Sequence, residues 1–212
     1  TEFPWEQDAF DFIKENAPSG TVGAWSNFEF VTPNGAIYEV DLMVMTITEL
    51  ILIEIKSWGG VLDGTVNNLV RYSHNPQDAR SVPNPLLLLN RKAKILAGML
   101  KEQPALRNQR VPFVRSVLFF NNPSLRIDIA PIDRANIFHR HELVAGLTPT
   151  EADKNNPKKK LDLPQVKALT KAFGQLGIRR QNRTAKVGDW VLDELLEDAE
   201  RYQDHLAHHA GI

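Results

Sequence analysis

Three ionisable residues interrupt an otherwise apolar stretch: Asp41, then, after twelve intervening residues, Glu54 and Lys56. They lie in two β-rich runs, about 36–45 (AIYEVDLMVM) and 50–57 (LILIEIKS), separated by Thr46–Glu49. An antiparallel hairpin centred between Ile47 and Thr48 would set Asp41 against Glu54 and Glu39 against Lys56. Side chains alternate along a strand, so all four would share one face with Met43, Met45, Leu50 and Leu52. The other face would carry Val40, Leu42, Val44, Ile51, Ile53 and Ile55. Both faces therefore read as buried, except for a group of charges at one end of one face. Carboxylates directly opposite one another on a sheet are destabilising, and burial raises the cost. A bound cation relieves both, because carboxylates and water form a hard oxygen site suited to Mg²⁺ or Mn²⁺. An ammonium at Lys56 could orient an attacking water or offset negative charge developing on a phosphate. The competing interpretation is a solvated ion-pair row of little energetic value, but a solvated edge would alternate with polar residues and this one does not.

Pro4 suits a first helical turn, and Trp5, Ala9, Phe12 and Ile13 recur at helical spacing to about Glu15. Pro18-Ser19-Gly20 ends that helix, residues 21–31 read as a strand, and Pro33-Asn34-Gly35 marks a turn before the hairpin. Gly59-Gly60 and Asp63-Gly64 punctuate a further short strand or hairpin. A helix is expected from Pro83-Asn84-Pro85 to about Leu100, strands at 111–120 and 135–139, a loop at 151–160, and a helix from about Pro164 to Phe173. This order predicts an α/β arrangement around a mixed sheet, with the core ending near residue 178.

The formal net charge of −1, with 42% hydrophobic and 24% charged residues, gives no global field for a polyanion, so nucleic-acid contacts must come from local clusters. With no cysteine, thiolate nucleophiles and cysteine-ligated metals are excluded. No secretory signal or apolar run of membrane-spanning length is visible, which predicts a soluble, cytoplasmic protein with no membrane partner. There is no P-loop, and no helix-turn-helix or zinc finger for reading sequence.

Asp41 followed by Glu54-Ile55-Lys56 at the end of an apolar strand resembles the D…E-x-K signature of the PD-(D/E)xK nuclease superfamily. More narrowly, EVDLMVM…LILIEIKSWGG is similar to the nuclease-related domain, NERD. Trp5-Glu6 opening the first helix and Asn84-Pro85 opening the helix after the hairpin match further family elements, so the resemblance covers roughly residues 4–121. It implies a restriction-endonuclease-like fold, a central mixed β-sheet flanked by helices with an αβββαβ core and a short C-terminal extension. It also implies Asp41 and Glu54 as metal ligands, Lys56 as the catalytic lysine, and Glu6 as a supporting acid, with Mg²⁺ or Mn²⁺ as cofactor and DNA, rather than RNA, as partner. The sequence departs from the family at Trp5, where glycine is usual, and at Leu88, near a common glutamine.

The chain is expected to divide into a nuclease-like domain, 1–178, and a linker with extension, 179–212. The segment Val187–His209 resembles the opening of a protein kinase lobe, with Leu196, Asp198 and Ala199 in place of the phosphate-covering glycines. The resemblance points to part of a NERD–kinase protein of bacterial phage defence, of the phage growth limitation or BREX-like kind. The alternative for this segment is a short amphipathic helix. Two functions follow as expectations: metal-dependent hydrolysis of DNA, or an inactive nuclease-fold module that binds nucleic acid or regulates an attached kinase. Two basic groups could contact phosphate without reading sequence: Arg71, Arg80, Arg91, Lys92 and Lys94, and Lys158–Lys160 with Arg179, Arg180 and Arg183. The cluster His139, Arg140, His141 and Glu142 is better read as surface polar residues than as a metal site.

Overall fold

The computed structural model describes residues 4–73, 75–180, 186–187, 190–199 and 202–209. The element order is α1 (Pro4–Glu15), β1 (Thr21–Val31), β2 (Ile37–Thr46), β3 (Leu50–Lys56), β4 (Val61–Gly64), β5 (Asn68–Tyr72), β6 (Arg80–Pro83), α2 (Pro85–Lys101), β7 (Val114–Phe120), β8 (Arg126–Ile127), β9 (Ile137–His139), α3 (Arg140–Leu147), α4 (Glu151–Lys154), α5 (Leu163–Gln175) and β10 (Arg179–Arg180). Three further strands follow: β11 (Lys186–Val187), β12 (Trp190–Ala199) and β13 (Tyr202–His209). The chain separates into two compact units, Thr1–Arg179 and Arg180–Ile212.

The main sheet of the first unit runs β10-β1-β2-β3-β7-β9. β1, β2 and β3 are antiparallel to one another, while β3, β7 and β9 are parallel, so the sheet is mixed as expected. Its two faces support separate cores. Met43, Met45, Leu50 and Leu52 pack with Leu86, Leu89, Ala93 and Leu96 of α2 and with Leu169 and Phe173 of α5. On the other face, Leu42, Val44, Ile51, Ile53 and Ile55 pack with Ala9 and Ile13 of α1 and with Leu143 and Leu147 of α3. Residues fully buried on both sides of β3 explain its unbroken apolar sequence.

The hairpin register is the expected one, Met43 opposite Leu52 and Leu42 opposite Ile53. Two expectations about faces are corrected. Val40 packs with the α2-side core rather than with Leu42 and Val44, and Glu39 is exposed opposite Glu29 on β1 rather than facing Lys56. The cause is a change of phase shared by β1 and β2. Phe28, Phe30, Tyr38 and Val40 face the same core as Trp25 and Met43, although their parity is opposite. The intervening pair, Asn27 and Asp41, drops out of the ladder without altering its register, and Asn27 takes a left-handed conformation (φ 48°), which asparagine tolerates better than most residues.

Beyond β3 the short strand or hairpin expected around Asp63-Gly64 is formed by β4 and β5, and β6 and β8, which were not anticipated, extend it into a second sheet in the order β6-β5-β4-β8, with Leu62 and Leu69 joining the α2-side core. The four short strands are two to five residues long, too brief for a clear period-two signal. Asn84 connects this sheet to α2: its Oδ1 accepts from the Leu86 N–H at 3.0 Å, and its Nδ2 donates to the Val66 carbonyl at 3.1 Å. It is thus an N-cap that also clamps the β4–β5 turn. Residues 140–147 and 151–154 are helical, where patterning suggested no helix.

In the second unit, β11, β12 and β13 form an antiparallel sheet. The backbone at 190–199 and 202–209 is extended, so the short C-terminal helix considered above is not formed. Arg183 lies outside the described residues.

Gly60 sits where the chain turns from β3 into β4, at φ 88°, and a Cβ there would lie 2.3 Å from the Tyr72 carbonyl oxygen. Gly60→Ala should therefore destabilise the first unit by more than about 1 kcal/mol, read from the urea midpoint of the intact chain; an unchanged midpoint would show that the turn can relax.

Candidate active site

The ladder between β2 and β3 ends at Leu42–Ile53. One rung further on, the Ile55 N–H donates to Asp41 Oδ2 at 2.8 Å. A side-chain carboxylate thus serves as acceptor where the hairpin would otherwise supply a backbone carbonyl. Asp41 is fixed at the point where the strands part, and the opening lets residues from both faces of the sheet approach it.

Glu54 projects beside it. Lys56 Nζ donates to Glu54 Oε1 at 2.7 Å, and Lys92 Nζ, arriving from α2, lies 3.5 Å from Oε2. Lys92 also donates to the Glu39 carbonyl at 2.7 Å. The two carboxylates titrate in opposite directions. Burial, together with the neighbouring charge of Glu54, pushes Asp41 up to about 6, against the opposing Ile55 hydrogen bond and Lys56; Glu6 adds to the rise. Burial acts on Glu54 in the same sense, but the ammonium groups of Lys56 and Lys92 outweigh it and hold Glu54 below the usual carboxylate range.

Glu6 is almost fully buried on α1, and its charge is felt at Asp41. Its helix is tied down by a polar network at the end of β7. The Asn121 N–H donates to the Lys56 carbonyl at 2.9 Å, while its side-chain Nδ2 donates to the Trp5 carbonyl at 3.0 Å and to Asp8 Oδ2 at 2.8 Å. Arg140 Nη1 donates to the same Asp8 oxygen at 2.5 Å and stacks over the Phe12 ring at 4.4 Å. Arg140 and Asn121 together keep Asp8 below its ordinary pKa. Residues on both sides of Glu6 are thereby held to the strand that pairs with β3.

All four sequence-derived candidates, Glu6, Asp41, Glu54 and Lys56, converge on this opening. Asn121, Asp8 and Arg140 join them and were not singled out as site residues, and Lys92, expected among the basic residues that contact phosphate, is instead buried against Glu54 and the Glu39 carbonyl. For Lys92 a signal existed: it lies three residues after Leu89 and four before Leu96, on the buried face of α2, where a lysine needs a partner. Asn121 and Arg140 had none, since their partners are more than 100 residues away in sequence for α1. His139 and His141 face each other, Nδ1 to Nδ1 at 2.8 Å, while Glu142 closes a capping box at the start of α3; they lie in that helix cap, as polar surface residues would.

Among the described residues no group of three or more His, Asp or Glu side chains stands ready-made for a metal ion. The donor chemistry nevertheless fits magnesium or manganese, because Mg²⁺ is ordinarily held by one or two carboxylates with water and substrate phosphate rather than by an all-protein cage. Burial first, and the charge of Glu54 second, disfavour the ionised form of Asp41, and a cation would offset both.

A model of the nuclease-related domain matches residues 1–121. The chain belongs to the NERD family. It is also 31% identical over 214 aligned positions to a protein named "Probable kinase PglW" from Streptomyces coelicolor; the whole chain aligns, but it spans only 13% of that relative's length. No solved structure matches it. The NERD match covers the open hairpin, Glu6 and α2. Among the described residues, no helix is long and apolar enough to cross a membrane.

A raised carboxylate pKa means that the folded chain holds its proton more tightly than the unfolded chain does. Asp41 therefore costs no stability below the unfolded value of about 4, and its penalty grows as pH rises through about 6, reaching roughly 3 kcal/mol at most. Without added metal, Asp41→Asn should be more stable than wild type at pH 7, with the difference vanishing towards pH 4. Urea unfolding in EDTA across that range checks this, and an Asn variant that is less stable at pH 7 would refute it.

Proposed function

We propose that this NERD domain is a Mg²⁺- or Mn²⁺-dependent phosphodiesterase acting on DNA. The observation that carries the proposal is the convergence of Asp41 and Glu54 from neighbouring strands, with Lys56 on Glu54, at an opening of a buried hairpin. Asp41 and Glu54 would hold the ion, with Glu6 completing the acidic surroundings. When bound, such an ion polarises the phosphoryl oxygens and lowers the pKa of a coordinated water.

The remaining roles fall to the chain's own side chains. Lys56 is the more exposed of the two lysines on Glu54, with about a quarter of its side chain accessible against roughly a tenth for Lys92. It is therefore the one that can turn towards an incoming phosphate, orienting a water or stabilising the charge that develops as the P–O bond breaks. Lys92, buried and anchored to the Glu39 carbonyl, keeps Glu54 in place when Lys56 does so. Lys92 is thus a positioning residue.

A second interpretation is favoured by a specific observation: both oxygens of Glu54 are directed at ammonium groups. If those contacts persist with metal present, the domain is an inactive nuclease-fold module that binds nucleic acid or regulates an attached kinase. The relative's name and the kinase-like opening at Val187–His209 support placing this domain in a larger kinase-containing protein, and a role in bacterial phage defence is proposed on the sequence resemblance alone.

Purified chain with Mn²⁺ or Mg²⁺ should nick supercoiled plasmid. Lys56→Ala should slow nicking by at least about 100-fold with an unchanged melting temperature, and Asp41→Asn should abolish the heat of Mn²⁺ binding. A wild-type chain that neither binds Mn²⁺ nor nicks DNA would overturn the hydrolytic proposal and leave the inactive module.

A further inference from the structure

The second sheet carries a charge arrangement that the hydrolytic chemistry does not use. β5 and β6 pair with Leu69 opposite Val82 and Arg71 opposite Arg80. Opposed residues share a face, and Leu69 and Val82 pack towards the α2-side core. The inward face of this sheet is therefore apolar at one end and finishes at the other in two exposed arginines side by side. Like charges directly opposite on a sheet oppose its formation, and a structural arginine pair would be expected to recruit a carboxylate. Among the described residues, neither Arg71 nor Arg80 makes an ion pair. Arg126, on β8 of the same sheet, provides the contrast: it is paired with Asp128 at 2.7 Å.

Arg71 is also oriented, by the loop that leaves β3. Arg71 Nε donates to the Gly59 carbonyl at 3.1 Å. This fixes the plane of the guanidinium and leaves both Nη groups free to grip an anion in bidentate fashion. Gly59 follows Lys56 by three positions, at most about 10 Å of chain between their Cα atoms. The loop that bears Lys56 at one end therefore orients Arg71 at the other.

We propose that Arg71 and Arg80 form a subsite for a backbone phosphate of the nucleic-acid strand, a few nucleotides from the bond presented to Lys56. The subsite recognises the phosphodiester and not the base, so it adds affinity and register without sequence preference. It rests on the reading of the open hairpin as the place where that strand is cut, and makes the second sheet the part of the molecule that aligns the strand.

The test uses the full 212-residue chain and a fluorescein-labelled DNA duplex, with binding followed by anisotropy in EDTA over a range of salt concentrations. Arg71→Gln/Arg80→Gln should weaken binding about tenfold at low salt and reduce the log–log salt slope by about 1, the value for one lost phosphate contact. Arg126→Gln should bind as wild type. The double variant should melt no lower than wild type, since a repulsive pair has been removed, and in the nicking assay it should raise KM with little change in kcat. Wild-type affinity in the double variant, an equal loss in Arg126→Gln, or displacement by poly-glutamate as effective as by unlabelled duplex would each overturn the subsite. Arg-dependent binding without any nicking would sustain the subsite and sink the hydrolytic proposal. Nicking with an unmoved KM would do the reverse.

Discussion

The hydrogen bond from the Ile55 N–H to Asp41 Oδ2 is the contact on which the rest of the arrangement depends. A buried antiparallel pair normally satisfies every inward amide with a carbonyl from its neighbour, because an unpaired buried N–H is costly. Here β2 parts from β3 while the strand is still buried, and the carboxylate of Asp41 replaces the missing acceptor. The substitution closes the hydrogen-bond account of β3 and at the same time fixes an ionisable group at the mouth of the opening. The phase change at Asn27 and Asp41 makes this possible. Keeping the two strands in register while reversing their faces allows β1 and β2 to continue together past the point where β2 leaves β3.

Charge around the opening is nearly balanced but unevenly distributed. Glu54 is engaged by two ammonium groups, whereas Asp41 is surrounded by burial and by other carboxylates, with Lys56 only partly offsetting them. Carboxylates in one small volume are thereby driven apart in acidity, a pattern found at functional sites and also in structural ion-pair networks. The lysines differ in kind as well. One comes from the strand itself and stays partly exposed, and the other is buried on a helix whose remaining contacts are apolar.

The candidate residues are supplied by elements held together through a few long-range polar contacts. Asn121 joins the end of β7 to Lys56 on one side and to α1 on the other, and Arg140 extends that link into α3. Asn84 similarly fastens the second sheet to α2. These contacts explain how a domain with separate cores on the two faces of one sheet keeps a single site at the sheet's end.

The hairpin, its register, the mixed sheet and the four acidic and basic candidates were legible in the sequence. Strand periodicity and apolar runs are local properties, and Glu54-Ile55-Lys56 with its upstream Asp41 is a local pattern. The face of Val40 and the exposure of Glu39 were not legible, because alternation fails where two strands change phase together and no single strand's pattern records that. Nor were β6 and β8, which widen the expected short hairpin into a second sheet and are too short to display a period. Lys92 sat on an inward helical position that a helix projection could reveal, but its partner Glu54 could be found only in three dimensions. Asn121, Asp8 and Arg140 belong wholly to the tertiary structure. Local sequence sets which side chains a strand can present, whereas the convergence of charges from α1, β2, β3 and α2 depends on how helices seat on the two faces of the sheet, and that is decided by packing between residues far apart along the chain.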